Sequence, residues 1–146
     1  MNHGYPMAGE DTREALRLGM RDRAERFHIL LMEGQLKEVM AAVARQPAAL
    51  ADLLPIVANP EASMNVKLGA SVVFEKYAGS EPLQALVAAL GMLAGHGDPR
   101  VRADACHILG LSGTPKAIKY LEARLDDPDA EVREIAAEGI EELQNP

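Results

Sequence analysis

Two stretches of this 146-residue chain follow one template. Asp98-Pro99-Arg100-Val101-Arg102-Ala103-Asp104-Ala105 is matched 31 residues later by Asp129-Ala130-Glu131-Val132-Arg133-Glu134-Ile135-Ala136. A looser copy, Ser63-Met64-Asn65-Val66-Lys67-Leu68-Gly69-Ala70, lies 35 residues upstream of the first. Each copy gives a capping residue, two free positions, Val, a basic residue, two free positions and Ala. Asp or Ser at the head accepts hydrogen bonds from the free N–H groups of a helix start. Val and the Ala four positions on share one helical face. A period of this size means a supersecondary unit that buries its apolar face only by stacking on its neighbours.

The connections between copies have one grammar as well. Gly79-Ser80-Glu81-Pro82 and Ser112-Gly113-Thr114-Pro115 place Gly after one helix and Pro at the start of the next. Leu83, Leu86, Leu90 and Leu93 then predict one helix over 82–94, and Ile118, Leu121 and Leu125 one over 115–125.

These residues resemble the HEAT-like repeats of the type also found in phycobilisome bilin lyases. The pattern Asp-Pro, Val-Arg, Ala, Leu-Gly is met by Asp98, Pro99, Val101, Arg102, Ala105, Leu109 and Gly110, and again by Asp127, Pro128, Val132, Arg133, Ala136 and Ile140. The resemblance implies an all-α fold: a right-handed α-solenoid, or superhelix, of about three HEAT-like helix pairs with an N-terminal helical cap or arm. It further implies that Asp98, Arg102, Asp129 and Arg133 form a structural hydrogen-bonded ladder between units. Lys67 stands where the others have Arg and lacks the planar fork, so the ladder is expected to weaken there.

The expected organisation is a flexible segment 1–10 followed by one domain, 11–146, with irregular helices to residue 58 and recognisable repeats over 59–143. Asp11 and Glu14 suggest a capping box. Leu16, Met20, Ala24, Phe27 and Leu31 continue a helix over 11–33, and Arg13, Arg17 and Arg21 make a basic stripe along it. Leu36, Val39, Met40 and Val43 mark a second helix. Pro47 opens a third, with Leu50, Leu53 and Leu54 inward and an end or kink at Pro55.

Composition narrows the function. Hydrophobic residues make up 48% of the chain but aromatic ones only 3%, with no Trp. One cysteine excludes an internal disulfide, no apolar run reaches membrane-spanning length, and the N-terminus does not read as a secretory signal. A cytoplasmic, soluble protein without a membrane contact is expected. The net charge of −7 argues against nucleic acid as a partner. Residues 98–146 hold eleven acids against six basic groups, gathered toward a last helix that reads as a polar cap.

No catalytic constellation stands out, and no cofactor or metal is expected. Cys106 and His107 are adjacent on a helix and so do not face each other. The four histidines lack ligand spacing. The expected role is a non-enzymatic interaction module or scaffold that binds a protein or peptide on the ridged face of the stack. Its candidate contacts are Lys116, Lys119, Tyr120 and Arg124 on one helix and Gln84, Ala88 and Met92 on another. Alternatives are a bilin lyase-like or other enzyme accessory subunit, and a homo-oligomer, possible as a homodimer, assembled through helix 82–94 or the chain ends.

Overall fold

A computed structural model describes residues 22–146, and every regular element among them is helical. The expectations for segment 1–10, the Asp11–Glu14 box, Leu16, Met20 and the Arg13–Arg17–Arg21 stripe lie outside the described residues. Of the helix expected over 11–33, residues 22–32 are seen and form α1. It is followed by α2 (Leu36–Arg45), a 3-10 helix (Pro47–Leu53) running into α3 (Leu54–Val57), and α4 (Met64–Lys76). Then come α5 (Glu81–Gln84), α6 (Val87–Leu93), α7 (Pro99–Leu111), α8 (Ile118–Glu122) after a 3-10 turn (Pro115–Ala117), and α9 (Ala130–Gln144).

The template residues are the core. Val66, Val101 and Val132 are wholly buried, and so are Ala105 and Ala136, with Ala70 nearly so. Burying each such valine contributes roughly 1.5–3 kcal/mol. The small alanines let neighbouring helices approach. Phe74, Leu83, Leu90, Leu109 and Leu121 fill the layer beneath.

Capping differs between copies. Asp98 accepts from the Arg100 N–H at 2.8 Å and Asp129 from the Val132 N–H at 3.1 Å. Ser63, expected to act likewise, makes no cap bond; its hydroxyl donates to Asn65 Oδ1 at 2.7 Å.

Two predicted helices are shorter than expected. The 82–94 helix is divided: the Leu86 N–H bonds back three residues to Leu83 O, which ends α5 and separates it from α6. Leu83 and Leu90 are buried, whereas Leu86 and Leu93 are half-buried. The 115–125 helix starts as a 3-10 turn and stops at Glu122, so Leu125 lies beyond it, 45% exposed rather than inward. The break expected at Pro55 falls where the 3-10 helix passes into α3, with Pro55 in that helix's first turn, where its missing N–H costs nothing.

The long helices α4, α7 and α9 pack side by side, and the short ones form a second row across from them. α7 contacts α4 and α9 within its row and α6 and α8 across it; α9 also lies on α8. At the turns, neighbouring units are tied by main chain. Gly79 and Gly113 both adopt φ +72°, the left-handed region open to glycine. The Gly79 N–H donates to Leu111 O at 2.9 Å, and a Cβ on Gly113 would lie 3.0 Å from Gly79 Cα.

The two seams of the long row are built differently. Between α7 and α9, a Cβ on Gly110 would stand 3.0 Å from Gly139 Cα, so backbone meets backbone. Between α4 and α7, apart from the main-chain contact at the Gly79 turn, the links are two looser ion pairs, Lys67–Asp104 and His107–Glu75, each at 3.9 Å, over a void of about 50 Å³ bordered by Phe74 and Ile108. Desolvation raises the Asp104 carboxyl above its ordinary value, against the pull of Lys67.

Candidate functional site

The strongest polar feature is a clamp. Arg102 donates from Nε to Asp127 Oδ2 at 2.9 Å and from Nη2 to Asp127 Oδ1 at 3.0 Å, a two-pronged pair. Its Nη1 reaches His96 O at 3.0 Å and Gly97 O at 3.2 Å. Asp127 also accepts from the Asp129 N–H at 2.9 Å and from Arg124 Nη1 at 3.2 Å. The Asp127 side chain is fully buried and that of Arg102 is 11% exposed. The Arg102 bonds, foremost, hold the Asp127 carboxyl below the ordinary range, with burial opposing them.

This arrangement redistributes the ladder implied by the family likeness. Arg102 does cross to the next unit, but its acceptor there is Asp127. Asp129 and Asp98 serve as helix caps, and Asp98 is engaged by its neighbour Arg100 at 2.9 Å, whose side-chain bonds chiefly lower its pKa to about 2. Arg133 bonds Asp127 O at 2.6 Å, as Arg102 bonds His96 O. Counting from the template valines, the residue equivalent to Asp127 one unit earlier is His96, and the residue equivalent to Arg102 is Lys67. Those two cannot pair by charge, so no clamp forms at the α4–α7 seam.

The candidate binding residues are not all available. Gln84 donates to Ser112 O at 3.0 Å and to Gly79 O at 3.4 Å, so it ties units together. Arg124 is half-buried and held by Asp127. Tyr120 lies across Gly91 so closely that a Cβ there would overlap its ring. That contact joins α6 to α8 and leaves Met92 80% exposed, with Ala88 and Ala89 also exposed. Lys119 sets its ammonium 5.1 Å from the ring centre of Tyr120. Lys116 is exposed on the same segment, its N–H capped by Thr114. Met92, Ala88, Tyr120, Lys116 and Lys119 are therefore the residues the short-helix row presents.

Cys106 is wholly buried, and burial pushes its thiol up to about 11. His107 points outward, toward Glu75. Iodoacetamide at pH 8 should leave Cys106 unmodified in the folded protein and label it fully in denaturant, read by intact mass. Rapid labelling of the native chain would show an accessible thiolate.

Sequence reasoning overlooked two features. Asp52, buried on the 3-10 helix, accepts from Arg23 Nε at 2.9 Å and so pins α1. A hollow of about 750 Å³ lies beside it and is lined in part by Glu25, His28, Asp52 and Asn59. Neither has a local sequence signal, because the elements involved are distant in the chain. Among the described residues, no group of three His, Cys, Asp or Glu side chains gathers as a metal site, and no helix is long and apolar enough to cross a membrane.

Residues 76–141 match the family model for HEAT repeats, which supports a HEAT-like repeat family. Repeats of that family commonly serve as protein-interaction scaffolds. No curated protein and no solved structure matches the chain.

Proposed function

We propose that the chain is a right-handed HEAT-repeat α-solenoid, a single domain over 11–146, that works by binding rather than by catalysis. Its partner is a protein or peptide segment laid across the row of short helices. The observation that carries this reading is Met92, 80% exposed and next in the chain to Gly91, across which the Tyr120 ring lies. A large exposed apolar side chain on a helix packed against an aromatic residue is a feature of interface anchors. Lys119 lies 5.1 Å from the Tyr120 ring centre and Lys116 is exposed on the same segment, so the segment that fits presents an apolar residue together with carboxylates. The HEAT-repeat match over 76–141 spans α6 and α8, which hold this surface.

A photo-crosslinking residue at position 92 tests the reading in the native cell. A discrete adduct is expected from position 92, none from position 76 on α4, and loss of the adduct in the Lys116→Glu, Lys119→Glu double variant. Both lysines are exposed, so the double variant should melt within about 1 kcal/mol of the parent. Absence of an adduct at 92, or one indifferent to the lysines, would assign binding to another face.

A further inference from the structure

We propose that copies of this chain associate head to tail, the acidic outer face of α9 in one copy seating on an arginine-lined cleft between α1 and α2 of the next. The cleft holds about 200 Å³ and is lined by Arg23, Arg26 and Arg45, with Glu38 and an apolar floor that includes Phe27 and Leu30. Arg23 is committed to Asp52 at 2.9 Å. Arg26 and Arg45 are exposed and form no ion pair among the described residues. Two uncommitted guanidinium groups over an apolar floor suit carboxylates delivered on a helix, since each planar fork accepts a carboxylate two-pronged.

The other end of the stack supplies them. Glu138, Glu141 and Glu142, with Asn145, border a hollow of about 350 Å³ on α9. Glu141 and Glu142 follow Glu138 by three and four residues and so lie on its side of the helix, and none of the three is ion-paired among the described residues. Register makes this face suited to a charged partner. Ala103, Cys106 and Gly110 are buried in α7. Their counterparts 31 residues on, Glu134, Ala137 and Glu141, are all exposed on α9. Two of the three small side chains that permit close packing in α7 have thus become carboxylates. Opposite charges at opposite ends of one stack give a heterologous contact, which adds copy after copy unless it closes into a ring.

Sedimentation velocity on the whole chain tests this at salt concentrations of roughly 20 mM and 500 mM, where screening lengths differ severalfold. Mass should rise with protein concentration at low salt and fall to the monomer at high salt. Arg26→Glu with Arg45→Glu should give monomers, as should Glu138→Arg with Glu141→Arg and Glu142→Arg. Mixing the two variants should restore association, because each then offers the charge the other lacks. All five side chains are exposed, and matching melting curves confirm that the variants fold. A wild-type monomer at low salt, association that survives either reversal, or a mixture that stays monomeric would each overturn the proposal.

Discussion

Asp127→Ala should lower unfolding stability by about 3 kcal/mol, the lower end of the range for breaking a buried ion pair. The lower end applies because Arg102 is 11% and Arg124 29% exposed, so water can screen the charge left behind. Arg102 would keep its carbonyl contacts through Nη1 but lose both prongs on Asp127. The Asp129 N–H at the start of α9 would lose its acceptor as well. For a chain of this size the change lowers the melting temperature by roughly 10 °C. Thermal and urea denaturation measure it, and a loss under about 1 kcal/mol would show that the clamp contributes little. Removing both partners, as Arg102→Met with Asp127→Leu, should recover much of the loss, since no buried charge is then left unpaired. The acid limb carries the same signature. Asp127 is depressed below 3.8, so its contribution is complete above that pH and disappears as the pH falls through the folded value. The Asp127→Ala protein should therefore lose less stability on acidification than the parent.

Gly110→Leu should cost about 2–3 kcal/mol and separate α7 from α9. Even a Cβ at Gly110 would meet Gly139 Cα at 3.0 Å, and main chain cannot step aside as a side chain can. Glu142 Oε2, 3.7 Å from the same point, closes the adjacent space. The contrast is Gly91→Ala, whose Cβ would overlap Tyr120 more severely. There the obstacle is a half-buried ring at the surface, which can swing outward, so a much smaller loss is expected. Hydrogen exchange in α9 distinguishes the two: amides of α9 should lose protection in Gly110→Leu and keep it in Gly91→Ala.

The long-helix row was legible because its signal is local and periodic. Val66, Val101 and Val132 recur at the same template position, and burial follows directly. The short row was less legible. Leucines over 82–94 keep helical spacing across Ala85 and Leu86, yet the backbone tightens there and α5 ends, which no side-chain period reports. Leu125 kept the spacing too, but the helix stops before it. The clamp was half legible. Arg102 was marked by the family pattern, but choosing Asp127 over Asp98 and Asp129 requires knowing which carboxylate the next unit brings over the guanidinium. Of the candidate contacts, Gln84 and Arg124 looked free because their acceptors, Ser112 O and Asp127, become neighbours only on stacking. The arginine cleft brings together α1 and α2 side chains up to 22 positions apart, from Arg23 to Arg45, and no motif spans that distance.

The exchange of Arg and Asp for Lys67 and His96 has a mechanical consequence. Helices packed side by side in a row act as springs in series, and strain collects in the weakest joint. The α7–α9 joint is welded by a buried guanidinium and backbone-to-backbone contact. The α4–α7 joint has two 3.9 Å ion pairs and a small void, anchored at one end where Gly79 bonds Leu111 O. Bending or pulling the molecule should therefore open the α4–α7 joint like a page about the Gly79–Gly113 spine, while residues 99–144 move as one stiff block.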